Sequence, residues 1–332
     1  MAKVLLLHPK PMSAEAEIAL RLIARRRDAA VQTLVDPHPL VVARALPGLR
    51  RNDATIIHAF GNAALAAAVM AGDRRIVFTP IDRPSRGQIG WLRAAMRYRS
   101  IDIVCSSDTL RRYYVTRGVP AERCHLIRPG VPMSLGGDRT ALRQQLNLTD
   151  EDRLIFTPFE ATHDSGHILA MWSGSLLNML DRRYKLLVWG RGPAEQTIRE
   201  FERRLVDPTM FRVGIDLDPA MPVQSFFAAA DVVLLTGKDF GQPALTAMAM
   251  ASGKPIVSTT TAAICEMIED RHTAMLALEP TPRQVAQRVV DLYADDALRW
   301  KIADRARAEA YDYFAESRML AAIDGLYGQA SA

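Results

Sequence analysis

Residues 231–268 read DVVLLTGKDFGQPALTAMAMASGKPIVSTTTAAICEMI. Asp231–Leu235 is a short apolar run rich in β-branched residues, as suits a parallel strand buried on both faces. Gly237 to Pro243 form a turn, and Pro243 fits the first helical position, where a missing N–H costs nothing. Ala244–Ser252 then reads as a helix of small and flexible apolar side chains that can pack closely. Gly253 ends it, and Lys254-Pro255 leads into a second strand, Ile256–Ser258. Such a turn sets backbone N–H groups and the positive end of a helix at the carboxyl edge of a sheet, where these folds hold anions, often phosphates. A crossover without any ligand has the same spacing, and spacing alone does not separate the two.

The same alternation extends in both directions. Strands are expected at Lys3–His8, Ala30–Val35, Asp53–His58, Arg75–Thr79, Ile101–Ser107 and Cys124–Ile127. Helices are expected between them, Ala14–Arg27 and Asp108–Arg117 being the clearest. Beyond a segment loosened by Gly136-Gly137, strands recur at Arg153–Thr157, Tyr184–Trp189, Phe211–Gly214 and Ala274–Leu278. Helices are expected there at Ile168–Leu180, Ala194–Val206, Pro222–Ala230, Pro282–Ala294 and Ala297–Tyr311. The pattern predicts an α/β protein of two Rossmann-like domains facing a central cleft. The expected division is 1–135, 136–312, and a last helix within 313–332 that crosses back to the first domain.

A chain of 332 residues with 49% hydrophobic and 24% charged residues suits two globular domains. No apolar run reaches the ~20 residues of a membrane span, and Val4–Leu7 is too short for a signal peptide. Cys105, Cys124 and Cys265 lack metal-ligand spacing and read as reduced thiols, so a cytoplasmic setting is expected. Charge is uneven. Residues 1–135 carry 21 basic and 10 acidic side chains, a net of +11, and the remainder is net −6. A basic lobe suits an acidic acceptor or an anionic membrane surface, and Arg-rich composition alone gives the same excess. The run 83–99 interleaves Arg83, Arg86, Arg93, Arg97 and Arg99 with Trp91, Leu92, Met96 and Tyr98. It reads as a helix with its apolar side in the core and its arginines in water, or as a surface peripheral to a membrane. No nucleic-acid motif accompanies the basic charge.

The stretch 231–268 resembles the donor-site signature of family 4 glycosyltransferases of the GT-B fold, roughly E-G-F-G-x-P-x-x-E-A-M-A-x-G-x-P-V-V. Phe240, Gly241, Pro243, Ala247, Met248, Ala249, Gly253 and Pro255 are shared. The two glutamate positions hold Lys238 and Thr246. The resemblance implies metal-independent transfer of a sugar from a nucleotide-sugar to an acceptor hydroxyl, with no resident cofactor. It places the donor on Lys238, Asp239, Phe240, Gly241, Gln242, Pro243, Ala244, Leu245 and Thr246. Gly190 and Arg191, in a G-R-G turn between strand and helix, are further candidates, as are Val213 and Gly214, whose backbone would read the nucleobase. Thr246 can still bond a ribose hydroxyl, whereas Lys238 cannot accept a hydrogen bond. The family's diphosphate-binding Arg and Lys correspond to Glu160 and Ser165, an unfavourable exchange for an anion. Two functions follow: a divergent glycosyltransferase, or a catalytically degenerate relative acting as a partner or sugar-nucleotide binding module.

Overall fold

The computed structural model describes residues 3–10, 12–27, 29–34, 38–81, 83–205, 207–217, 221–238 and 242–328. The chain forms two compact units, Met1–Gly130 with Glu316–Ala332, and Val131–Ala315. The first contains β1 (Val4–Pro9), α1 (Ala14–Arg27), β2 (Ala30–Leu34), α2 (Pro39–Arg51), β3 (Ile56–Phe60), α3 (Gly61–Ala71), β4 (Arg75–Thr79), α4 (Arg86–Ala95), β5 (Ile101–Cys105), α5 (Asp108–Val115) and β6 (Cys124–Leu126). The second contains α6 (Arg139–Gln145), β7 (Arg153–Thr157), α7 (His167–Leu180), β8 (Tyr184–Val188), α8 (Glu195–Glu202), β9 (Phe211–Val213), α9 (Val223–Phe226), β10 (Val232–Leu235), α10 (Pro243–Ala251), β11 (Ile256–Thr259), α11 (Ala262–Cys265), β12 (Met275–Ala277), α12 (Pro282–Ala294) and α13 (Asp296–Tyr313). The last helix, α14 (Glu316–Gly328), belongs to the first unit.

Each unit is built on a six-stranded parallel sheet. The strand orders are β2-β1-β3-β4-β5-β6 and β12-β11-β10-β7-β8-β9. Read from β9, the second order is 3-2-1-4-5-6, the doubly wound Rossmann arrangement. Every residue of β3, β5, β10 and β11 is buried, which is why these strands are apolar runs without alternation. The expected segment ends at Val35 and Val206 lie outside the described residues.

Two boundaries differ from expectation for local reasons. The strand expected at Asp53–His58 begins at Ile56 and runs to Phe60. Asn52 Oδ1 accepts from Ala54 N, and the Asp53 carboxylate pairs with Lys3, so the first residues form a turn. The helix expected at Pro222–Ala230 is only Val223–Phe226. Its downstream carbonyls are taken by an arginine: Arg139 Nη1 donates to Ala228, Ala229 and Ala230 O at 3.1–3.3 Å.

In the first unit His58 on β3 is fully buried and stacks on Phe60, with ring centroids 4.5 Å apart. Its two ring nitrogens bond Tyr327 Oη at 2.6 Å and Thr79 Oγ1 at 2.7 Å. Tyr327 lies on α14, so this contact holds the chain's last helix on the sheet. Ion pairs Arg25–Glu316 and Arg27–Asp324 flank it, the latter at 2.7 Å. Burial pushes the His58 imidazole down to about 3, and the ring is neutral.

In the second unit Asp231, just before β10, plays the corresponding part. Its carboxylate accepts from Leu154 N at 2.7 Å, Arg139 Nη2 at 2.6 Å and Arg143 Nη1 at 3.0 Å. Arg143 is buried and also donates to Thr149 O and Asp152 O. One carboxylate thus ties α6 and the turn after it to the starts of β7 and β10. Around α7, Ala170, Met171, Gly174 and Leu177 are buried, while its exposed residues, Ile168, Trp172, Leu176, Met179 and Leu180, are all large and apolar.

Asp231→Ala should lower stability by about 3 kcal/mol, because it leaves a buried guanidinium uncompensated; urea denaturation reads the change. A second expectation concerns pH. From pH 6.5 down to about 3 the unfolded chain takes up a proton at residue 58 that the folded chain refuses. The stability held above pH 6.5 is therefore lost on acidification, by up to about 1.4 kcal/mol per pH unit. His58→Gln, which keeps a donor and an acceptor, should make the pH 6 to 4 stability profile shallower by about one proton.

Candidate functional site

In the second sheet β7 and β10 are neighbours, and the chain leaves them in opposite directions, towards β8 and towards β11. This is the switch point where open α/β sheets bind ligands beyond their carboxyl ends. Two loops meet there, 158–166 after β7 and the one after β10, of which residues 236–238 and 242 are described. Lys238 N donates to Asp164 O at 2.7 Å, Thr236 Oγ1 to Ser165 O at 3.3 Å, and Glu160 N to Gln242 Oε1 at 3.0 Å. A third loop, 189–193 after β8, is bonded to the first. Ala161 N donates to Arg191 O at 2.8 Å, and Ala194 N to Ala161 O at 2.7 Å.

These approaches are close enough to demand glycine. Gly166 has φ +69°, and a Cβ there would overlap Thr236 O. Gly192 has φ +146°, and a Cβ there would lie 2.5 Å from Ala161 O and 2.8 Å from Ala161 N. Phe159 is fully buried beneath the loops, against Gly237.

Ser165 and His167 flank Gly166 at the end of the first loop. Ser165 is buried and its Oγ donates to Thr162 O at 2.7 Å while bonding His167 Nδ1. Burial lowers the His167 imidazole to about 4, and the ring is neutral. Its Nε2 is buried with no hydrogen-bond partner among the described residues.

Helix α10 starts at the same edge. Pro243 occupies the first turn, and Gln242, the preceding residue, offers the helix no side-chain cap because its Oε1 is turned to Glu160. All nine residues of α10 are buried. Thr246 is among them, and its Oγ1 is buried without a partner among the described residues. The Thr246 side chain is fully enclosed in this structure. Helix α10 also has two more residues between the Pro and the Gly than the signature has. Counted from Pro243 the second glutamate position is Thr246; counted back from Gly253 it is Met248, which is equally buried.

The other expected residues fall as follows. Gly190, with φ +84°, and the exposed Arg191 lie in the third loop, the guanidinium 5.8 Å from the Trp189 ring centroid. Lys238 is exposed in the second loop. Ala244 and Leu245 are buried in the first turn of α10. Asp239, Phe240 and Gly241 lie outside the described residues. Val213 ends β9, two strands from β7, and Gly214 packs on Phe226, with a built Cβ 3.0 Å from its ring. Sequence reasoning missed the Ser165–His167 pair and the Gly166 contact, because the spacing S-G-H carries no sign that the three face a strand end 70 residues away.

In the first unit α4 buries Ile89, Leu92 and Ala95. Arg83, Arg86, Arg93 and Arg97 are exposed beside Trp91 and Tyr98, the latter 81% exposed. Among the described residues no helix is long and apolar enough to cross a membrane.

With two doubly wound units and this switch-point arrangement, the protein has the GT-B fold. The structure of Anabaena HepE in complex with UDP-glucose matches it with a TM-score of 0.83 at 19% identity, covering 99% of this chain and 100% of that one. Residues 167–295 match the family model of glycosyl transferases group 1. N-acetyl-alpha-D-glucosaminyl L-malate synthase of Bacillus anthracis is 27% identical over 145 residues, 43% of this chain and 37% of the relative. D-inositol 3-phosphate glycosyltransferase of Xylanimonas cellulosilytica is 26% identical over 238 residues, 68% of this chain and 55% of the relative. The chain thus spans about a third to a half of the length of these relatives.

Thr246→Val removes the unpartnered hydroxyl at nearly constant volume. An unmet buried hydroxyl costs about 1–3 kcal/mol, so the variant should be more stable by about 1 kcal/mol in urea denaturation without ligand. A loss of stability instead would mean that the hydroxyl is bonded in solution.

Proposed function

We propose that the protein transfers a sugar from a nucleotide-sugar to an acceptor hydroxyl without a bound metal, and that the switch-point loops of the second unit hold the donor. The observation that carries this reading is the meeting of three loops at that edge, two of them within residues 167–295, which match the family model of glycosyl transferases group 1. Leaving-group charge on a diphosphate needs donors fixed in advance, and backbone N–H groups beside a helix start supply them without reorganisation. Arg191 and Lys238 are the side-chain cations proposed to meet the diphosphate. The backbone at Val213 and Gly214 is proposed to read the base. The HepE structure holds UDP-glucose, which makes a uridine donor the first to test here.

A second reading is supported by the residues that are absent. Neither position counted for the second glutamate carries a carboxylate, Lys238 stands at the first, and Ser165 is tied into its own turn. These losses favour a protein that binds a sugar-nucleotide without transferring the sugar. On the acceptor side the basic first unit and the arginines of α4 suit an acidic acceptor or an anionic membrane. Cytoplasmic placement, with or without membrane contact, accompanies both readings.

Calorimetry with UDP-, GDP- and ADP-sugars should show binding by one class. Arg191→Gln should weaken it about tenfold, equivalent to about 1.4 kcal/mol. Binding with donor consumption in the presence of acceptor extracts supports transfer, and binding without consumption supports the second reading. Absence of binding by every member of the panel rejects both. Co-sedimentation with anionic vesicles that disappears at high salt would place the acceptor at a membrane; equal sedimentation with neutral vesicles would not.

A further inference from the structure

A pocket of about 350 Å³ opens at the opposite edge of the second sheet, where its strands begin. Its walls come from the segment before α6, the end of α9, the end of α10 and one face of α13. Leu135, Phe227 and Ala251 form an apolar side. Lys254, two residues before β11, and Arg307 and Tyr311 on α13 form the polar side.

The charge there is unbalanced. Arg139 and Arg143 share one carboxylate, Asp231. Lys254 is close enough to feel all three, and its ammonium has no ion pair or hydrogen bond among the described residues. Burial, then Arg139, lower its pKa, while Asp231 opposes them. Arg307 contacts Tyr311 Oη at 3.4 Å and meets no carboxylate among the described residues. Two cations, Lys254 and Arg307, therefore line the cavity, and Arg139, Arg143 and their shared carboxylate lie near Lys254. Surface arginines in excess are ordinary, but a lysine drawn out of water beside two guanidiniums is held at a cost that an anion would offset.

We propose that this pocket binds a small metabolite bearing a phosphate or carboxylate group, its anion on Lys254 and Arg307 and its body on the Leu135–Phe227 wall. The volume exceeds that of a lone phosphate, and the apolar wall gives the remainder of the molecule a surface. The site is separate from the switch-point edge, which lies about 13 Å away along the four residues of β10. Helix α10 runs between the two, from Pro243 at one edge to Ala251 at the other. An occupant of the pocket would therefore touch the end of the helix whose start borders the proposed donor site.

The test is a thermal-shift titration with inorganic phosphate at constant ionic strength, using chloride as the reference salt. A ligand that binds only the folded state raises the midpoint with its concentration. Phosphate should stabilise the wild-type chain beyond chloride, and Lys254→Met and Arg307→Gln should each raise its apparent Kd at least fivefold. Arg191→Gln, at the other edge, should leave it unchanged. Both substitutions remove a cation without a carboxylate partner among the described residues, so both variants should remain folded. A phosphate effect no larger than that of chloride overturns the proposal, as does one insensitive to both pocket variants. An effect lost only in Arg191→Gln places phosphate at the switch point and also overturns it. Repeating the titration with phenyl phosphate and with benzoate separates a phosphate ligand from a carboxylate one. This proposal does not depend on the donor reading, which stands or falls by the sugar-nucleotide panel.

Discussion

The candidate site depends on backbone approaching backbone. Loops from three strands touch at the carboxyl edge of the second sheet, and at Gly166 and Gly192 no side chain fits between them. The contact fixes the loops before any ligand arrives. It also fills the space in which longer side chains would have worked. Ser165 is folded into the bond network of its own turn, and His167 is buried neutral beside it. A site preorganised in this way relies on amide dipoles rather than on mobile charges. Thr246 is enclosed as well, on a helix whose nine residues are all buried.

Away from that edge, a polar centre in each unit ties several elements together. His58 in the first unit joins two strands and the final helix through a neutral ring with both nitrogens bonded. Asp231 in the second joins two arginines, two strands and a turn through a charged one. Both satisfy the demand that buried polar groups be paired, with opposite consequences. The histidine links stability to pH. The aspartate leaves a surplus of positive charge on the amino edge of the sheet, and that surplus is what gives the pocket beside Lys254 its character.

Much of the fold was legible because parallel strands buried on both faces have few alternatives. Runs such as Ile101–Cys105 and Val232–Leu235 fit little else, and prolines and glycines mark the helix ends. Two of the differences fell where a side chain competed with the backbone. Asn52 turned the start of one strand, and Arg139 took the carbonyls that would have continued one helix. Neither event leaves a mark on hydrophobic periodicity. For the candidate site, the G-R-G turn and Pro243 were readable from local spacing. The Ser165–His167 pair, the burial of Thr246 and the bond from Glu160 N to Gln242 were not, since each depends on segments distant in sequence.

The sequence by itself determined two parallel α/β units, a stretch in the second that matches the family model of glycosyl transferases group 1, and the residue types, Lys238 and Thr246 among them, at the positions of the signature it resembles. Those properties follow from residue type and local order. Only the tertiary structure decided which loops meet, which polar atoms are enclosed, and where unpaired cations gather. Lys254 shows why. In the sequence it is one lysine between Gly253 and Pro255; its meaning comes from Arg139, Arg143 and Arg307, brought around it by strand order and helix packing. Electrostatic free energy depends on distance and burial, and neither is a property of a residue's place in the chain.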